Sequence, residues 1–154
     1  MKLLLASIAP RAGSGPAQAL LDQYTTRIAA YSPIDTEIYR SETALLDSLT
    51  RHRTRSEPLL ILLDSRGTQH SSEALSTLLG TQRDTGRQLV IFAIGPADGW
   101  SPSTLDRARN SPHTELLSLG PLTLPHELAR VVLAEQVYRA FTILANHPYH
   151  SAHK

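Results

Sequence analysis

The sequence predicts an α/β fold, a mostly parallel sheet flanked by helices, on three observations. Residues 59–63 (Leu-Leu-Ile-Leu-Leu) and 89–94 (Leu-Val-Ile-Phe-Ala-Ile) are apolar without alternation, the pattern of strands buried on both faces of a parallel sheet. Segments with apolar residues at helical spacing alternate with these and other short strands along the chain. Three Gly- or Pro-bearing loops follow three apolar strands: Asp64-Ser65-Arg66-Gly67, residues 95–100 and residues 120–125. In open α/β sheets that edge is where ligands bind.

Taken in order, residues 2–8 read as a first strand. The apolar run 3–9 is at the lower limit for a signal-peptide core and Arg11 follows at once, so a strand is expected rather than a cleaved leader. Residues 10–16, rich in Gly, Ser and Pro, form a loop. Leu20, Leu21, Tyr24 and Ile28 then define a helix within residues 17–31, ended by Pro33. Residues 34–39 alternate in part and suit a strand. Ser41 is placed to cap a second helix reaching Arg51, and Ser71 or Ser72 to cap a third that fades near Gly86. Ser101-Pro102 opens a short fourth helix, because Pro is tolerated where the first-turn amide is not needed. Residues 115–119 form the last strand, and residues 127–145 a long helix. Its polar positions are few (Glu127, Arg130, Glu135, Gln136, Arg139 and Thr142), so cover on more than one side is expected.

The 154 residues suffice for one domain, 1–154, with its own core. The chain has no cysteine, hence no disulfide framework and no thiolate for catalysis or zinc; a reducing compartment, the cytoplasm, is the expectation. No stretch approaches a membrane span of ~18 apolar residues. Fifteen Lys and Arg against fourteen Asp and Glu leave a net charge of +1, so any polyanion site must be local. Arg51-His52-Arg53-Thr54-Arg55 is one candidate, although cations of this kind also suit a solvated helix end.

Glycines at 67, 95, 99 and 120 allow close backbone approach to a ligand or positive φ. None of the loops matches a Walker P-loop or a GxGxxG pattern, which disfavours a nucleoside triphosphate or a Rossmann dinucleotide. A flavodoxin-like domain holding a phosphorylated ligand at this edge is the reading that needs no further resemblance.

The last third carries a more specific pattern. Leu122-Thr123-Leu124-Pro125-His126, the helix with Arg130, Glu135, Tyr138 and Arg139, and the ending Asn146-His147-Pro148-Tyr149-His150 resemble the RlmH (YbeA) family, SPOUT-class methyltransferases of large-subunit ribosomal RNA. Leu63-Asp64 with Gly67, and Ile94-Gly95 with Asp98-Gly99 and Ser101-Pro102, extend the likeness over the chain. The resemblance implies a homodimer, a C-terminal trefoil knot, and S-adenosylmethionine held by Leu63, Gly95, Leu119, Gly120, Pro121, Leu122, Thr123 and Leu124. The implied reaction is methylation of N3 of a pseudouridine in large-subunit (23S) rRNA, in the assembled ribosome. Its catalytic candidates are His126, Tyr149 and His150, and its substrate contacts Arg130, Asn146 and His147; no metal is implied. Imidazole suits proton transfer near neutral pH, whereas a tyrosine ring suits stacking on an unpaired base. Two positions depart from the family pattern: Pro96 stands where a second Gly is usual, and Ser151 where an Arg is usual. If that Arg serves transfer, its task passes to Arg130, His153, Lys154 or another subunit. These departures prompt a second reading, a non-catalytic cofactor- or RNA-binding module of the same fold.

Overall fold

A computed structural model of the chain describes residues 1–52 and 56–152. Arg53 and Arg55 of the basic run, and His153 and Lys154, lie outside the described residues. The elements are β1 (Lys2–Ile8), α1 (Gly15–Ala29), β2 (Ile34–Tyr39), α2 (Glu42–Arg51), β3 (Leu59–Gln69), α3 (Ser72–Asp84), β4 (Leu89–Ile94), α4 (Pro102–Asn110), β5 (Thr114–Ser118), α5 (His126–Leu144) and the short α6 (Tyr149–Ala152). All five strands are parallel, in the order β2-β1-β4-β3-β5.

Side chains of a strand alternate between faces, and the two apolar sets make two cores. Leu3, Leu5, Ile61 and Phe92 pack beneath α1, α3 and α5. Leu4, Ala6, Leu62 and Ile91 pack beneath α2 and α4 with Leu45, Leu49 and Leu105. The helix starts follow the expected capping chemistry. The hydroxyls of Ser41, Ser71 and Ser101 accept from the amides of Ala44, Ala74 and Thr104 at 3.1, 3.0 and 3.3 Å, each bond worth about 1 kcal/mol.

The main difference from the sequence reading lies in β3. The segment Asp64-Ser65-Arg66-Gly67 is not a loop that ends a strand but part of β3, which continues to Gln69 across a register shift between Leu63 and Thr68 and pairs again with Leu117 and Ser118 of β5. The reason is tertiary: β5 lies alongside, so turn-prone residues acquire ladder partners. The long helix α5 obtains much of its cover within the chain. Val131, Leu133, Ala134, Val137, Tyr138, Ala140, Phe141 and Thr142 are buried, between the sheet and its flanking helices α1 and α3. Leu128 and Val132, one turn apart, remain 50% and 37% exposed, and Leu122 of the preceding loop 82%.

A polar brace on the opposite face joins α2 to α4. The Glu42 carboxylate accepts from the Ser101 amide (2.7 Å), the Ser101 hydroxyl (2.7 Å) and the Thr104 hydroxyl (2.8 Å). Burial works to raise the Glu42 pKa, but the hydrogen bonds from Ser101 and Thr104 outweigh it and hold the carboxyl below its ordinary value of 4.5. A folded value below the unfolded one means the contribution is complete above that ordinary value and disappears as pH falls through the lower folded value. Thermal melts from pH 7 to 3 should show the wild type losing this increment over that acid range, while Glu42→Gln starts lower and has a flatter profile. Parallel profiles would show that the brace contributes nothing.

Candidate active site

The expected cofactor loop and the two strand ends it was assigned to meet in one cleft of about 300 Å³. Leu63, Gly95, Leu119, Gly120, Pro121, Leu122, Thr123 and Leu124 all line it, with His126 at its α5 side and Asp64, Ser65, Pro96 and Trp100 completing the wall. β5 ends at Ser118, whose hydroxyl accepts from the Gly120 amide at 3.0 Å. Gly120 has φ +115°, a conformation other residues rarely adopt, and it turns the chain across the sheet edge toward α5. Among the described residues, the amides of Leu122, Thr123 and Leu124 find no partner within the chain. They are main-chain donors left for solvent or a ligand at the cleft rim.

Trp100 fixes the opposite wall. Its indole is 6% exposed, and its Nε1 donates to the Leu63 carbonyl at 3.0 Å. This ties the loop after β4 to the bend in β3. A Cβ on Gly95 would lie 2.8 Å from the Trp100 ring, so glycine is required there for the indole to close on the backbone. Asp64 is held by Arg66 through two guanidinium contacts of 2.9 Å and the Arg66 amide at 2.8 Å. The Arg66 hydrogen bonds keep its carboxyl below the usual range despite partial burial. Trp100 was absent from the sequence-derived site; its only signal was its position directly after the Gly95 loop.

His126 also borders a second, larger cleft of about 590 Å³ beside Ser7, Arg11, Gly13, Ser14, Glu127 and Arg130. Arg130 is half-buried and donates to Gln18 Oε1 at 3.2 Å. Burial pushes its pKa down, opposed by the more distant charges of Asp22 and Glu127. The residues expected at the catalytic centre thus divide into two groups.

His126 and Arg130 stand at the start of α5. Asn146 and His147 stand just beyond its end, 19 residues along, or about 28 Å, and Tyr149 and His150 follow them. Asn146 has φ +54° and closes α5. Its amide bonds to Ile143 O and the His147 amide to Thr142 O, at 3.1 and 2.8 Å, the paired bonds of a Schellman turn. The chain then folds back. Tyr149 donates to Glu135 at 2.9 Å, and its ring meets Tyr138 edge-on at 4.8 Å. Arg139 lies 4.9 Å over that ring and pairs with Glu135 at 2.7 Å. His150 contacts Glu73 at 2.9 Å and Arg139 at 3.3 Å through its two ring nitrogens. Burial, then hydrogen bonding to Tyr24 and Glu135, drives the Tyr149 phenol well above its ordinary pKa; as placed it is a donor, not a base. The i, i+4 pair Glu135–Arg139 is consequently the hub that holds the C-terminal segment.

The model of the family described as "Predicted SPOUT methyltransferase" matches residues 1–150. The chain belongs to the SPOUT methyltransferase family. Proteins named "Ribosomal RNA large subunit methyltransferase H" are similar to it over most of their length. The one from Koribacter versatilis is 49% identical over 136 residues, 88% of this chain and 89% of its own. Those from Rhizobium leguminosarum bv. trifolii and Mesorhizobium japonicum are each 42% identical, over 91% and 92% of this chain and 93% and 94% of their own. Within this SPOUT methyltransferase, no helix among the described residues is long and apolar enough to cross a membrane. Among the same residues, no cluster of three His, Asp or Glu could hold a metal.

Proposed function

We propose that this chain uses S-adenosylmethionine to methylate N3 of a pseudouridine in large-subunit ribosomal RNA, as a homodimer whose C-terminal segment forms a trefoil knot. The observation that carries the reading is the single cleft lined by all eight residues assigned to the cofactor, with His126 on its border. The cleft suits that cofactor chemically: leucines at 63, 119, 122 and 124 offer apolar cover, and unpartnered amides of the 122–124 segment offer donors to its polar atoms. Bound there, S-adenosylmethionine supplies a sulfonium-activated methyl group. The residues of the chain have the remaining tasks of alignment and proton transfer.

His126 is the proton acceptor in this scheme. It alone among the three candidates borders both clefts, whereas Tyr149 and His150 are folded back onto Glu135 and Arg139, nine and thirteen residues or about 13–20 Å along α5 from its start. These two serve the site of a second protomer, brought there by a twofold interface. The exposed apolar trio Leu122, Leu128 and Val132 beside the cleft supports such an interface, since an isologous contact covers the same patch twice. Ribosomal RNA as the substrate follows the names of the relatives; the pseudouridine N3 target, the assembled ribosome and the cytoplasmic setting belong to the same proposal.

The direct test uses ribosomes from a strain lacking the gene, incubated with the purified protein and methyl-labelled S-adenosylmethionine. Label in a large-subunit pseudouridine is expected; none, with cofactor binding intact, favours the non-catalytic module. Calorimetry with S-adenosylmethionine and flavin mononucleotide separates the flavodoxin-like reading, which requires flavin binding alone. His126→Ala should lower kcat about 10²- to 10⁴-fold while leaving cofactor affinity nearly unchanged. Equal loss of both would move His126 into the cofactor pocket.

A further inference from the structure

The larger cleft beside His126 is lined by donors that have few or no partners within the described residues. Ser7 is only 3% exposed. It follows Leu3 and Leu5 on the α1/α5 face of β1 and lines the cleft, yet its hydroxyl has no hydrogen-bond partner among the described residues. Arg130 is partly desolvated and, among those residues, makes no ion pair; its one bond is to neutral Gln18. Arg11, on the loop forming the cleft's rim, is exposed and likewise has no carboxylate within pairing distance. The same loop delivers the N-terminus of α1, where Ser14 makes no side-chain cap bond. Helix N-termini favour negative charge, and the Ser7 hydroxyl, with no partner among the described residues, opens onto the cleft where a ligand can take it.

We propose that this cleft binds a phosphodiester of the RNA next to the nucleotide presented to His126, with Arg11 and Arg130 as the cationic jaws and the Ser7 hydroxyl as a donor from the floor. The inference rests on the reading as an RNA methyltransferase and assigns it a backbone-binding site. Two guanidinium groups, a hydroxyl and a helix N-terminus all donate, which matches phosphate oxygens. The cleft's acidic member, Glu127, is exposed at the rim. A carboxylate of the cofactor is the other anion that could reach these donors. The cleft lined by the cofactor-assigned residues lies on the other side of His126, which leaves these donors to the RNA.

The test measures binding of a large-subunit rRNA stem-loop to the full chain at several salt concentrations, and S-adenosylmethionine affinity by calorimetry, for wild type, Arg11→Gln, Arg130→Gln and Ser7→Ala. Each arginine variant should weaken RNA binding and reduce the slope of log K against log salt by about 0.7–1, with cofactor affinity unchanged. Ser7→Ala should weaken RNA binding roughly 2- to 10-fold with little change in slope. Arg11 is exposed, so its variant keeps the test valid if Arg130→Gln folds poorly. Unchanged salt slopes in proteins that still methylate RNA overturn the site alone. Loss of cofactor affinity in the arginine variants reassigns the cleft to the cofactor's carboxylate and also overturns it. A wild type that binds cofactor but never methylates RNA instead overturns the functional reading.

Discussion

Gly67→Ala should lower the melting temperature by roughly 2–12 °C, corresponding to about 1–3 kcal/mol of overpacking strain in a domain of this size. A Cβ at this position would sit 2.5 Å from the Leu116 carbonyl carbon, 2.6 Å from the Leu117 nitrogen and 2.7 Å from the Leu116 oxygen. All three atoms belong to the main chain of β5, which is held in the β3–β5 ladder, so the strand must move as a unit. Gly80→Ala provides the contrast. There the nearest atom, at 2.9 Å, is the tip of the Leu144 side chain, which can rotate, and alanine gains up to ~1 kcal/mol of helix propensity. The Gly80 variant should therefore melt close to wild type. Gly67→Ala should also weaken S-adenosylmethionine binding, because Asp64 and Ser65 just before it, and Leu119 just after β5, line the same cleft. Differential scanning calorimetry and titration calorimetry on both variants check this; equal melting of the two would show that β5 yields without cost.

The parts of this fold that were legible in the sequence are those determined by local chemistry. Uninterrupted apolar runs gave β4 and the first half of β3. Serines before amphipathic stretches located three helix starts. The eight positions assigned to the cofactor came from resemblance; the structure brings them to one cleft. The extension of β3 was illegible because Asp-Ser-Arg-Gly has turn composition, and only the proximity of β5, a long-range fact, gives it partners. The apolar circumference of α5 was legible as a need for cover, but not that α1 and α3 would supply much of it. Glu135 and Arg139 are spaced i, i+4 in the sequence, a pairing worth only ~0.2–0.5 kcal/mol on an exposed helix. Its role in retaining Tyr149 and His150 depends on the Schellman turn at Asn146, which reverses the chain onto α5. The cleft beside Ser7 escaped because residues 10–16 have ordinary loop composition. Its signal is the hydroxyl that interrupts an otherwise apolar strand, just before Arg11.

Two inactive variants should restore one another when mixed. His126→Ala removes the proposed proton acceptor at the start of α5, and His150→Ala removes a group of the folded-back tail, so in the proposed homodimer either substitution should impair both sites. In a mixed dimer, however, one site combines the intact His126 of the second chain with the intact C-terminal segment of the first, while the other site collects both substitutions. Equal amounts that exchange subunits at random give mixed dimers as half of the population, each with one functional site of two. Activity should then return to about one quarter of the wild-type value. Transfer of label to ribosomes lacking the modification measures it, after a denaturation–refolding or co-expression step that allows exchange. The alternative geometry, in which each chain folds its own tail into its own site, would require the tail to leave Glu135 and Arg139, which Tyr149 and His150 contact, and to move about 13–20 Å along α5. Under that arrangement a mixed dimer contains no chain with both groups intact, and the mixture should remain inactive. The distance separating His126 from His150 within one chain thereby makes the recovery a test of where the second half of the site comes from.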